Sequence, residues 1–215
     1  MSYIAERRQE EKDRRRNEII DAAEEVFARV GFDAATMEEF ARQARLSRAL
    51  LYVYFKDKSD LHFAICERAM DLLRRRFEEA AGRHRLGIDQ VSAIGRAYVA
   101  FAQEVPHYFD AMARFEAHRP EEVTDGSQEQ GCLMAGDRVH QTIVDSINVG
   151  IADGSVRKDV GNPYLLSVTL WALMHGIIQL ISTKANVFAA DGISGQMLID
   201  SAIEMAGRAM RTSIP

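Results

Sequence analysis

Residues 36–58 read TMEEFARQARLSRALLYVYFKDK, and this stretch leaves almost no freedom in where its helices start. Thr36 has the chemistry of an N-cap. Glu39, three residues on, completes a capping box in which each residue's side chain serves a backbone N–H of the other. Phe40, Ala41 and Ala44 then share one face at helical spacing. After the short turn Arg45-Leu46, Ser47 caps a second helix, with Leu46 and Leu51 spaced as a hydrophobic staple. Leu51 and Phe55 face inward, while Arg48, Ala49, Tyr52 and Val53 face out. Small alanines on the first helix let the second cross it closely. Two helices joined by so short a turn form a helix-turn-helix unit, whose second helix fits the major groove of a duplex.

The run Ser47 to Phe55, SRALLYVYF, followed by Lys58 and Leu61, resembles the recognition helix of TetR-family transcriptional regulators. That family typically shows Ser, Lys or Arg, Gly, a small residue, Leu, Tyr, any residue, Tyr or His, and Phe, with a Lys three residues later. Gly31-Phe32 through Thr36 is similar to the family's link between its first two helices. Three positions depart from the pattern. Arg45 and Ala49 stand where Gly is common, and a positive φ at Arg45 would cost about 1 kcal/mol. Leu50 stands where Thr, Ser or Ala usually faces the bases, and a larger apolar group there suggests contact with a thymine methyl.

The resemblance implies that Thr36, Tyr52, Tyr54 and Lys58 hold the phosphate backbone. Hydroxyls and an ammonium on adjacent helix ends pin the register without reading sequence. The Arg48 guanidinium suits a guanine or a phosphate, and Ala49, Leu50 and Val53 are candidates for base edges. With Ser47 at the helix start, these residues make the candidate DNA-binding set. Each has a plainer alternative: Arg48 as a surface charge, the tyrosines as half-buried aromatics.

The 215 residues are long enough for one or two domains, and 47% hydrophobic with 27% charged residues is ordinary for a soluble chain. The net charge is −5, so a DNA-binding surface must concentrate its positive charge locally. Residues 1–65 hold 12 Lys+Arg against 13 Asp+Glu, and distribution has to do the work. Cys66 and Cys132 are too few for a disulfide framework or metal cluster, and a reducing compartment is the simpler reading. The charged N-terminus does not read as a secretory leader. Val168 to Ile181, the most apolar run, is too short to span a bilayer and reads as a buried helix. The expected location is cytoplasmic, with no membrane partner.

Ahead of the motif, the charged stretch Glu6 to Arg16 extends the first helix, with Glu10–Arg14 and Glu11–Arg15 as favourable pairs. It is either a solvated extension or a basic arm of Arg14, Arg15 and Arg16 reaching phosphates. Ile19, Ile20, Ala23, Val26, Phe27 and Val30 make an amphipathic helix ended by Gly31 as a left-handed cap. Beyond the motif, Asp57 caps a long helix from Lys58 towards Phe77, its Arg74-Arg75-Arg76 run a solvated face, with a break over Gly82 to Gly87. Further helices are expected over Asp89–Glu104, His107–Ala117, Leu133–Ala152, Tyr164–Thr183 and from Ser194 to Met210, with a loop over Arg119 to Gly131. The expectation is an all-α chain of about nine helices. Residues 1–65 form the DNA-binding domain (1–16 its charged extension), and 66–215 a helical domain for effector binding and dimerisation.

Asp153-Gly154-Ser155-Val156-Arg157, Asn162-Pro163 and the run Leu170 to Gly176 are similar to the family's C-terminal pattern. The resemblance implies that the last two helices pair with their copies, making a homodimer that faces a palindromic operator. Tyr98, Phe101, Phe109, Met112, Phe115, Met134, Trp171 and His175 supply aromatic, thioether and polar surface for a largely apolar small-molecule effector, although each also reads as plain core. No motif requires a cofactor or a metal. The six histidines show no HExxH and the cysteines no CxxC, and there is no GxSxG, Walker loop or dinucleotide fingerprint. The alternatives are a helical small-molecule enzyme or binding protein, and a nonspecific architectural DNA binder. The favoured expectation is a ligand-responsive transcriptional regulator that acts as a repressor.

Overall fold

A computed structural model describes residues 3–119 and 123–212. Among the described residues there are nine helices: α1 (Tyr3–Ala34), α2 (Met37–Gln43), α3 (Arg48–Tyr54), α4 (Lys58–Gly82), α5 (Gly87–Glu104), α6 (Pro106–Glu116), α7 (Gln128–Asp153), α8 (Pro163–Ala190) and α9 (Gly195–Met210). No strand occurs among them, only an isolated antiparallel bridge between Val156 and Arg211. Two compact units are formed, one from the described residues of Met1–Ala69 and Asp110–Met134, the other from those of Met70–Phe109 and Ala135–Pro215.

In the first unit, α1 buries Ile19, Ile20, Ala22, Ala23 and Val26, the stripe that its periodicity marks. Phe27 of α1 stacks on Phe32 and meets Phe40 of α2 edge-on at a centroid distance of 5.0 Å. Gly31 is not the left-handed cap expected from the sequence. It has φ 77 and ψ 168, a kink with extended ψ, after which one more helical turn carries Phe32 and Asp33. The N-terminal extension is helical from Tyr3, but its ion pairs differ from those expected. Arg14 pairs with Glu11 and Glu18, and Arg15 with Glu18. Arg16 reaches Gln128 at 2.6 Å and Glu67 at 3.3 Å. These three arginines are tied within the unit.

Two helices run further than the sequence suggested. α7 begins at Gln128 rather than Leu133, because Ser127 caps it: the Gln130 N–H donates to Ser127 Oγ at 3.1 Å, and the Gln130 amide oxygen accepts from Gly126 N–H at 2.7 Å. The expected loop over 119–131 is correspondingly shorter, and its residues 120–122 lie outside the described ones. α8 starts at its Asn162 cap and Pro163 as expected, then continues past Thr183 to Ala190. It is not a buried helix. Its most apolar window has a mean hydropathy of 1.7, yet only 28% of that window is buried. By length and composition alone this 28-residue helix is apolar enough to cross a membrane.

The second unit is tightest where α5 begins. Leu86 offers no side-chain cap; Asp153 and Ser155, from the end of α7, take its place. Gly87 N–H donates to Asp153 Oδ2 at 2.8 Å and Ile88 N–H to Ser155 Oγ at 3.1 Å. Hydrogen bonds from the Ser155 side chain, then from the Gly87 and Ser155 backbone N–H groups, hold the Asp153 carboxyl below its ordinary range. A β-carbon on Gly87 would fall 2.0 Å from the Gly150 nitrogen, so only glycine lets the two backbones meet. The end of α9 is stitched to the same turn, with Arg157 N–H bonded to Met210 O at 2.9 Å and the Thr212 hydroxyl to Gly154 O at 2.7 Å.

Candidate nucleic-acid interface

The capping box at α2 forms as its spacing dictates. Glu39 N–H donates to Thr36 Oγ1 at 3.3 Å, and Thr36 N–H to Glu39 Oε2 at 3.1 Å. Phe40 and Ala41 are buried. At the other end of α2, Leu46 N–H bonds Ala41 O at 2.8 Å, Arg45 N–H bonds Arg42 O at 3.1 Å, and Arg45 has φ 55. This is a Schellman closure with arginine where glycine is usual. It fixes the angle at which α3 leaves the turn.

Ser47 then caps α3 by accepting from Leu50 N–H at 3.2 Å. Leu51 and Phe55 are buried, at 0% and 1% exposure, and hold the helix down by one edge. The opposite edge is bare. Arg48 and Ala49 are exposed, Leu50 is 38%, Tyr52 45% and Val53 73% exposed, and Tyr54 is half-buried. A ridge carrying three exposed apolar or aromatic side chains and one guanidinium is unusual on a free surface, and it suits contact with base edges and thymine methyls.

The near-even charge count of this region hides a segregation. Glu39 is held in the capping box, Asp57 accepts from Asp60 N–H at 2.9 Å, and Asp60 accepts from Lys56 N–H at 3.0 Å. Asp21 and Glu24 are engaged by Arg68 at 2.6 and 3.0 Å. Arg45 and Arg48, by contrast, have no ion-pair partner among the described residues. Arg45 entered the sequence reading only as a strained turn position. Its exposure beside Arg48 adds it to the candidate set, and a basic residue at the turn was the signal.

Lys58 is placed differently from a free phosphate ligand. Its ammonium donates to Phe32 O at 2.8 Å and Asp33 O at 3.2 Å, and lies 4.6 Å from the centroid of the Phe32 ring. Arg114 of α6 covers the same ring at 4.2 Å and pairs with Asp33 at 3.4 Å. Phe32 thus sits between two cations at the link from α1 to α2. His62 of α4 meets the Phe32 ring edge-on at 5.2 Å, and its buried Nε2 has no hydrogen-bond partner among the described residues. Burial, then the nearby Arg114 charge, lowers the His62 pKa to about 4.

Of the residues expected to line a pocket, Tyr98, Phe101, Phe109, Trp171 and His175 belong to the second unit. Tyr98 stacks on Trp171 with centroids 4.6 Å apart, its hydroxyl meets His175 Nδ1 at 2.7 Å, and Phe109 stacks on His175 at 4.8 Å. Burial lowers the His175 pKa, which favours a neutral ring there. Met112, Phe115 and Met134 belong to the first unit. Met112 is fully buried, Phe115 packs edge-on against Phe63 at 5.9 Å, and Met134 is 54% exposed. The second unit holds a cavity of about 40 Å³ whose walls include Tyr98 and Trp171, with Phe77, Ile143 and Met174. It admits water-sized groups and is far below the roughly 300 Å³ at which ligand pockets begin. Among the described residues, no group of three or more His, Cys, Asp or Glu could hold a metal ion. Cys66 and Cys132 are buried free thiols, and the hydrogen bond that the Cys66 thiol donates to Cys132, with burial, pushes the Cys66 pKa up.

A capped helix-turn-helix with a bare second helix, followed by helices enclosing an apolar cavity, defines a DNA-binding transcriptional regulator. Residues 19–65 match the bacterial regulatory proteins of the tetR family, and residues 91–203 match the tetracyclin repressor-like C-terminal domain. The chain belongs to the TetR family. The HTH-type transcriptional regulator HbdR of Aromatoleum sp. (strain CIB) is 29% identical over 168 residues, 75% of this chain and 70% of that one. The HTH-type transcriptional repressor NicS of Pseudomonas putida is 24% identical over 190 residues, 86% of each chain. Among solved structures, the transcriptional regulator FadR from Bacillus subtilis in complex with stearoyl-CoA has a TM-score of 0.67 at 17% identity, covering 89% of this chain and 97% of that one. These relatives are regulators rather than enzymes.

Proposed function

We propose that the protein is a cytoplasmic homodimeric repressor that leaves a palindromic operator when a small, largely apolar effector binds. The reading is carried by the bare ridge of α3, where Arg48, with no ion-pair partner among the described residues, stands among exposed Leu50, Tyr52 and Val53. Residues 1–65 serve as the DNA-binding domain and 66–215 as the effector and dimerisation domain. Thr36, Tyr52, Tyr54 and Lys58 position the backbone; Ser47, Arg48, Ala49, Leu50 and Val53 meet the groove. The name of NicS, a repressor, supports the sign of the regulation.

The dimer is supported by apolar surface that a lone chain leaves in water. Leu165, Val168, Leu180 and Val187 are exposed along α8, and Met197 and Met205 along α9. Their spacing makes one stripe on each helix, which a second copy would cover as a four-helix bundle. A membrane fits less well, since Gln179, Ser182 and Lys184 are exposed on the same helix. Such a dimer presents two recognition helices about one duplex turn apart. For release, the effector has to bind the DNA-incompetent arrangement more tightly than the competent one, with α4 as the lever between the units. The stearoyl-CoA complex of FadR supports an apolar effector. Selection of bound sequences from random duplexes tests the reading. Palindromic enrichment is expected, and a pool without sequence preference would overturn it.

A further inference from the structure

The apolar cavity of the second unit does not stand alone. Ser92 of α5 and Ile203 of α9 line it and also line a polar groove between the same two helices, whose rim carries Arg96, Asp200, Arg208 and Arg211. We propose that cavity and groove form one site for an anionic single-chain amphiphile, the alkyl chain inside and the head group on Arg211. The proposal rests on the effector reading given above and specifies the ligand's chemistry.

Inside, the hydroxyls of the wall are already engaged. The Ser92 hydroxyl donates to Ile88 O at 2.9 Å and the Tyr98 hydroxyl meets His175 Nδ1 at 2.7 Å. A charged head buried there would be left unpaired, at a cost no alkyl contact offsets. The head must therefore emerge at Ser92 and Ile203. In the groove, Arg96 is held by Asp200 at 3.0 Å, Asp200 also accepts from Gln196 at 2.9 Å, and Arg208 pairs with Glu204.

Arg211 has no ion-pair partner among the described residues. Its side chain folds back over Gly207, where a β-carbon would lie 3.9 Å from the Arg211 Nε, so the guanidinium lines the groove. The remaining acid, Asp89, sits in the first turn of α5, where the helix N-terminus already favours its charge. At about 100° per residue the exposed Met205 lies well round α9 from the 200, 204, 207 and 211 face that the groove uses, whereas Met197 falls between Glu204 and Arg208 at the groove's edge. At about 40 Å³ the cavity holds no alkyl chain as it stands, and Met174 and Met210, flexible thioethers in its wall, are the groups that would have to move to admit one.

Trp171, the single tryptophan of the sequence, is in the wall and reports occupancy by its emission. The full-length protein is titrated with dodecanoate, dodecanol and dodecyltrimethylammonium, each below its critical micelle concentration. Dodecanoate is expected to shift the emission saturably and to bind about tenfold tighter than dodecanol, with the ammonium weakest. Arg211→Gln is expected to abolish the advantage of dodecanoate and leave dodecanol unchanged. Arg211→Lys should retain most of it, and Arg85→Gln, outside the groove, should alter nothing. Equal binding of dodecanoate and dodecanol to the unmodified protein, or an advantage that survives Arg211→Gln, overturns the head-group assignment and leaves the cavity as an effector site. Absence of any chain binding overturns both. The three-probe comparison on the unmodified protein decides the matter whether or not a variant folds.

Discussion

Arg45 holds two roles that pull apart. Its φ of 55 is a left-handed conformation that a side chain adopts at a cost of about 1 kcal/mol, yet its guanidinium is exposed beside α3. Arg45→Gly is therefore expected to raise the melting temperature by about 2–4 °C while lowering affinity for every duplex and reducing the salt slope by about one unit. Thermal unfolding and binding at several salt concentrations on the same samples check both halves. Arg48→Ala should instead cost about 1–3 kcal/mol of operator discrimination at one base pair; unchanged preference would remove Arg48 from the base-reading set. Lys58→Ala should weaken all duplexes alike, with some loss of stability because the Phe32 and Asp33 carbonyls lose a donor. His62 gives the pH dependence. Its folded pKa of about 4 lies below the ordinary 6.5, so between these values the unfolded state binds more protons. Stability is full above pH 6.5 and falls as pH drops towards 4, by about 3 kcal/mol at most. His62→Leu should flatten that part of a stability-against-pH curve relative to the unmodified chain.

At the level of helices, what could be read from the sequence was whatever is encoded locally. The Thr36–Glu39 box, the Ser47 and Ser194 caps and the Asn162-Pro163 start each sit within three residues of the groups they satisfy, and all form. The early start of α7 was legible too, in the Ser127-to-Gln130 spacing, but the polar residues there masked it as a loop. Ser127→Ala is expected to cost about 1 kcal/mol and to speed hydrogen exchange at residues 128–131, with the rest of α7 unaffected. The full length of α8 was harder to see. Ser182, Thr183 and Lys184 read as a polar terminus, whereas a helix with an exposed face carries such residues without ending until Asp191-Gly192, where Gly192 has φ 72. The tether of Lys58 was hidden for a different reason. Its partners are carbonyls 25 and 26 residues away, and no local pattern announces a tertiary hydrogen bond.

For the molecule as a whole, the testable quantity is the apolar stripe. Leu180→Glu is expected to convert a dimer to a monomer in sedimentation and to reduce operator affinity with it, because one helix-turn-helix spans only a half-site. An unmodified chain that sediments as a monomer at micromolar concentration would sink the bundle. The candidate DNA face was legible in sequence because one short helix carries nearly all of it. The cavity was not, because its walls come from α4, α5, α7, α8 and α9, and spacing along one helix says little about which residues of another it will meet.

The way α5 is started carries a consequence for biosynthesis. Its opening amides find their acceptors in residues 66 and 67 positions further along the chain, so a ribosome that has just made α5 has not yet made what finishes it. At about 5–20 residues per second, the nascent helix waits roughly 3–10 s, the time to add the residues from Glu104 to Ser155, with its apolar face exposed. Chains arrested before Asp153 should therefore be held by chaperones, whereas those released beyond Ser155 should not, and Gly87→Ala should prolong that dependence even in the completed protein.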